Sequence, residues 1–237
     1  MTQPVNKRSY DSTRRRASAE RTRGAVLVAA RDLFTRHGYL DTSVADIAGA
    51  AGVSIDTVYA SVGRKPELLL AVHDMALAER DSPVDAEQRD YVRQIREATT
   101  AAEKIATYAA ALARVLPRTV PLALALRAAG ETDPACRQAY AGLTERRAAN
   151  MRLFAADLRR TGELRDDLDD AAVADLVWSM NSPDYYSLVL SRGRTPQQYS
   201  ELVQDVWTRT FLQDPAPADH PSPRQDQPGT PSPPATD

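Results

Sequence analysis

A single cysteine, Cys136, rules out an internal disulfide and a cysteine-based zinc site. The three histidines, His37, His73 and His220, are far apart and show no ligand spacing, so no metal is expected. There is no glycine-rich phosphate loop and no nucleophile–histidine pairing, so neither catalysis nor a cofactor is expected. No apolar run approaches the roughly 20 residues that span a bilayer, and the first residues lack the apolar core of a leader. A cytoplasmic protein without a membrane partner is the expectation. The net charge of -2 excludes a polycation, so any nucleic-acid binding must come from a local basic patch. Strand alternation with turn signals is missing and no internal repeat is found, which leaves an all-α fold for the 237 residues.

What is present centres on Thr42 to Leu70, TSVADIAGAAGVSIDTVYASVGRKPELLL. Ser43 can cap a helix, with Asp46 in the capping-box position. Val44, Ile47, Ala48 and Ala51 recur at helical spacing, and Gly52 stands where a left-handed stop is needed. Ser54 can cap a second short helix that carries Val58 inward. Gly63-Arg64-Lys65-Pro66 then breaks the chain, and Pro66 suits the first turn of the next helix. Two short helices joined by a tight glycine turn form a helix-turn-helix, whose second helix can enter a DNA major groove.

The remaining chain divides around that unit. Residues 1–17 read as a disordered basic arm. Between Lys7 and Arg23 seven basic residues face two acids, which suits phosphate or minor-groove contact beside such a motif. Residues 18–65 form the DNA-binding head, its first helix running from Ser18 to Gly38, with Tyr39 and Leu40 packed beneath the motif. Residues 66–213 read as a larger helical body, with Pro117 and Pro121 marking a corner between two helices. Residues 214–237 hold eight of the sixteen prolines and almost no large apolar side chain, and are expected to be disordered.

A head carrying Thr42, Ile47, Ala48, Ala51, Gly52, Val53, Ser54, Thr57, Tyr59, Lys65, Glu67 and Leu68 in this order, followed by a helical body, resembles the TetR-family transcriptional regulators. The resemblance spans roughly residues 20 to 70 and returns more weakly in GELRDDLD and in SPDYYSLVLSRGRTPQQYSELV. It implies a homodimer, an inducer pocket in the body and an interface built from the last helices. The expected function is a sequence-specific regulator, a repressor released from a palindromic operator by an unknown small molecule. The alternative is architectural DNA binding without a ligand. Asp56, Ser61 and Val62 depart from the family's frequent glycine, histidine and phenylalanine, which bears on base reading rather than on the motif.

The candidate DNA contacts are Ser43, Ser54, Asp56, Thr57, Tyr59, Ser61, Arg64 and Lys65. Thr57 can meet a phosphate or a thymine methyl, or bond its own helix end. Tyr59 can place its hydroxyl on a phosphate or brace the head, and Lys65 can meet the backbone or remain solvated. Ser43 and Ser54 are caps first and phosphate contacts second. Candidate pocket residues are Leu112, Leu116, Leu126, Tyr140, Asn150, Met151, Phe154 and Trp178, although each taken alone reads as core before ligand contact. Candidate interface residues are Tyr186, Val189, Leu202, Val206 and Trp207.

Overall fold

The computed structural model describes residues 7–213, with side chains from Arg14 onward. The expected tail at 214–237 and the first six residues of the expected arm lie outside the described residues. Among the described residues ten α-helices follow one another: α1 (Lys7–His37), α2 (Val44–Ala51), α3 (Ile55–Ser61), α4 (Lys65–Ala78), α5 (Asp90–Glu97), α6 (Ala101–Ala129), α7 (Pro134–Arg159), α8 (Asp170–Met180), α9 (Pro183–Ser191) and α10 (Pro196–Phe211). Among the described residues the only β pairing is an isolated antiparallel bridge between Leu164 and Leu212. The fold is all-α, with a small helical head and a larger helical body.

The head forms because short-range signals agree. Ser43 Oγ accepts from the Asp46 N–H at 3.1 Å, while Asp46 Oδ2 accepts from the Ser43 N–H at 2.8 Å. This capping box opens α2. Gly52 closes it at φ 67°, a conformation that favours glycine, and its N–H returns to the α2 carbonyls. Ser54 then caps α3 through the Thr57 N–H. Val26, Leu27 and Phe34 of α1, Ile47 of α2, Val58 of α3 and Leu68, Leu69 and Val72 of α4 close into one buried cluster. Each fully buried aliphatic there contributes about 1.5–3 kcal/mol.

Two expectations at the head are corrected. The first helix starts at Lys7 rather than Ser18, so residues 7–17 continue α1 instead of forming an arm. Leu40 does not pack beneath the motif; it is 74% exposed, and Tyr39 alone turns inward.

The body is built on α6, which packs against α4, α5, α7, α9 and α10. Pro117 and Pro121 make no corner, because α6 runs unbroken through both. Both prolines sit on the exposed side. Val115, Leu116, Val120 and Ala123 stay buried on the other side. That packing outweighs a cost of about 3 kcal/mol per interior proline. The expectation that no apolar stretch approaches spanning length also fails at α6, which is long and apolar enough by composition to cross a membrane. Half of its most apolar window is buried inside the protein. It is the central core helix of the bundle, and its apolarity answers to the helices around it.

Candidate DNA-binding face and ligand cavity

Of the exposed positions on α3, Tyr59 is the largest at 47% exposed, and Ile55 lies one helical turn before it. Asp56 is also exposed, while Val58 on the opposite side is sealed. Ile55 was missed in the sequence, where it reads as an ordinary apolar helix position; only its exposure marks it as available to a thymine methyl. Tyr59, Arg64 and Lys65 come together around an open groove with Val44 of α2 and Asp133 at the start of α7.

Several candidate hydroxyls are already engaged. Ser43 Oγ also donates to Asp46 Oδ2, and Ser54 Oγ lies 2.8 Å from Thr57 Oγ1. Ser61 Oγ donates to the Val58 carbonyl, and the Ser61 carbonyl accepts from Arg23 Nη1 at 2.6 Å. Arg23 therefore clasps the end of α3 to α1, a role its place in the basic run does not reveal. Lys65 is half-buried, its ammonium 4.2 Å above the Tyr39 ring, and burial pulls its pKa down.

Inside the body a partly open cavity of about 730 Å³ lies among α4, α5, α6 and α7, with Asn181 and Pro183 at its edge. That is within the roughly 300–1,000 Å³ of small-molecule sites. Leu112, Leu116, Tyr140, Asn150, Met151 and Phe154 line it. Leu126 and Trp178 do not. Leu126 is buried in the head's cluster, where the end of α6 meets α4, so it joins head to body. Trp178 packs outside the cavity with Arg147 5.5 Å above its ring.

The polar lining went largely unread. Asn181, in the sequence only part of a helix break, donates to Tyr108 Oη at 2.7 Å and accepts from Arg147 at 2.5 Å. Burial raises the Tyr108 pKa, so its phenol stays protonated. His73 and Arg89 line the same space. His73 Nδ1 is buried with no hydrogen-bond partner, and burial holds the ring's pKa below its ordinary value.

Trp207 is corrected from interface to core. It is fully buried within one chain, its ring 5.8 Å from Tyr108. Tyr186 and Val189 are also largely buried, whereas Leu202 and Val206 are partly open and Leu188 is 64% exposed. Cys136 is sealed against Tyr39 Oη at 3.2 Å and burial pushes its thiol pKa up, which suits a packing residue. No group of three metal-ligating side chains occurs among the described residues.

Residues 26–72 match the model of the bacterial regulatory proteins of the tetR family. No curated protein matches the chain in sequence. The fold is shared with a protein from Saccharomonospora viridis, assigned as a transcriptional regulator and bound to choline. That pair has 18% identity and a TM-score of 0.62, covering 82% of this chain and 100% of the other. The regulator FadR from Bacillus subtilis, in complex with stearoyl-CoA, aligns at 19% identity and TM-score 0.59, over 77% and 96% of the two chains. A TetR regulator from Chloroflexus aurantiacus aligns at 17% and 0.59, over 83% and 98%. Residues 26–72 thus form a DNA-binding head of the tetR family of bacterial regulatory proteins, and the helical architecture of the head and body together is the fold of these solved structures.

Proposed function

We propose that the protein is a repressor that binds a palindromic operator as a homodimer and leaves it when a small molecule fills the body cavity. The observation that carries this reading is the path of α4. Its first residue, Lys65, borders the groove beside Tyr59, and its later residue His73 lines the cavity. One rigid helix thus touches both places, so a ligand that displaces His73 also displaces the edge of the head. The shift requires that ligand bind one arrangement better than the other. Complexes of similarly folded proteins with choline and with stearoyl-CoA support a small-molecule ligand for a protein of this fold.

A single head would bury only about 600–1,000 Å², too little for tight specific binding. Two heads on a twofold axis would read half-sites roughly 35 Å apart. Exposed Leu188 with half-buried Leu202 and Val206 are the positions left for a second copy. Selection of bound DNA from a random pool tests the reading. A palindrome is the expected product; unselective recovery would favour architectural binding and end the operator proposal.

A further inference from the structure

Two guanidinium groups face the cavity, and neither is hydrogen-bonded to a carboxylate. Arg147 Nη2 donates to the Trp178 carbonyl at 2.9 Å and to Asn181 Oδ1 at 2.5 Å, and both acceptors are neutral. Arg89 is 8% exposed, and its Nε is buried with no hydrogen-bond partner. Its nearest carboxylate, Asp74, stands 3.9 Å away and is already bonded to Arg146 at 3.2 Å. Acids that line the cavity are committed to other cations. Asp157 pairs with Lys104 at 2.9 Å and with Arg160, and Glu87 pairs with Arg96 at 3.3 Å. Four arginines and two acids line the space, an excess of two positive charges. A desolvated cation lacking a counter-ion is costly, and an incoming anion relieves that cost. The rest of the wall is apolar: Leu112, Leu116, Val120, Met151 and Phe154.

We propose that the cavity takes an ionised organic acid with an apolar body, its carboxylate against Arg147 and Arg89 and its hydrocarbon along the apolar wall. This rests on the reading of the cavity as the effector site. A planar carboxylate matches the guanidinium fork, whereas a cationic head would meet a wall with an excess of positive charge.

Three probes sharing one ten-carbon chain separate the possibilities: decanoate, decan-1-ol and decyltrimethylammonium, titrated calorimetrically below their micellar concentrations. Decanoate is expected to bind at least tenfold more tightly than the other two. Arg147→Gln should remove that preference and Arg147→Lys should keep part of it. Arg89→Gln should weaken decanoate several-fold with little effect on decanol, and it decides the matter if Arg147→Gln does not fold. No binding of decanoate, equal binding of all three, or tighter binding of the ammonium compound overturns the proposal. So does an undiminished decanoate preference in both folded glutamine variants. A parallel shift assay on the selected operator keeps the two ideas apart. If decanoate binds with the expected preference yet leaves the operator complex intact, the ligand class stands and ligand-controlled release fails. If the ammonium probe alone releases the operator, release stands and the acid proposal fails.

Discussion

The Lys65 ammonium rests 4.2 Å above the Tyr39 ring, and the Tyr39 hydroxyl lies 3.2 Å from Cys136 Sγ on α7. The start of α4 is thereby tied both to the head and to the body. Lys65 Nζ also reaches the Leu40 carbonyl at 3.4 Å. Such a cation–π contact is worth about 0.5–1 kcal/mol at an accessible site. Lys65→Ala should lower Tm by no more than about 2–4 °C, the shift for roughly 1 kcal/mol in a chain of this size. It should weaken operator binding across sequences and reduce the log–log salt slope by about 2, roughly 1 for each head of the dimer. Unchanged affinity and slope would remove Lys65 from the phosphate contacts.

Tyr59 projects from α3 with nearly half its surface open, so its hydroxyl can be removed without disturbing the core. Tyr59→Phe should keep the melting temperature and reduce operator affinity about 5- to 150-fold, the loss expected for one hydrogen bond of roughly 0.5–1.5 kcal/mol in each of two heads. Wild-type affinity in a gel shift would show that the ring braces the head instead.

The basic run is exposed along α1 at Arg14, Arg15 and Arg16. Replacing all three with glutamine should leave the selected sequence unchanged while flattening the salt dependence of binding, since fewer counter-ions are released. An unaltered slope would place this stretch away from the duplex.

Trp207 and Leu188 should behave oppositely. Trp207→Ala empties a fully buried site and should cost about 3–5 kcal/mol of stability. Leu188→Glu changes an exposed residue and should leave the fold intact while shifting a homodimer toward monomer in analytical ultracentrifugation. A dimer that survives Leu188→Glu would move the interface elsewhere.

Burial holds the His73 pKa below 6.5, so the unfolded chain takes a proton more readily than the folded one. This contribution to stability is complete above pH 6.5 and is lost as the pH falls below that value toward the folded-state pKa. Thermal melts between pH 7.5 and 5 should show a declining Tm, and His73→Gln should flatten that decline. Equal slopes for the two proteins would mean that the ring is solvated.

Much of the head was legible without coordinates. The box between Ser43 and Asp46, the left-handed Gly52 and the Ser54 cap each involve residues within a few positions of one another. Such local interactions leave a direct trace in the sequence. The apolar period of α7 and the break at Asn181–Pro183 were legible for the same reason. The residue order therefore specifies the succession and chemistry of the helices, and the two-helix motif that places Tyr59 on an open face. Tertiary structure alone decided that α6 runs through Pro117 and Pro121, that Leu126 joins head to body and that Trp207 belongs to the core. It also decided that His73, Arg89, Arg147 and Asn181 meet around one cavity. An apolar or charged stripe has the same period whether it faces a neighbouring helix, a cavity or water. Which of these it faces is fixed by how distant helices cross, and that geometry has no local signature.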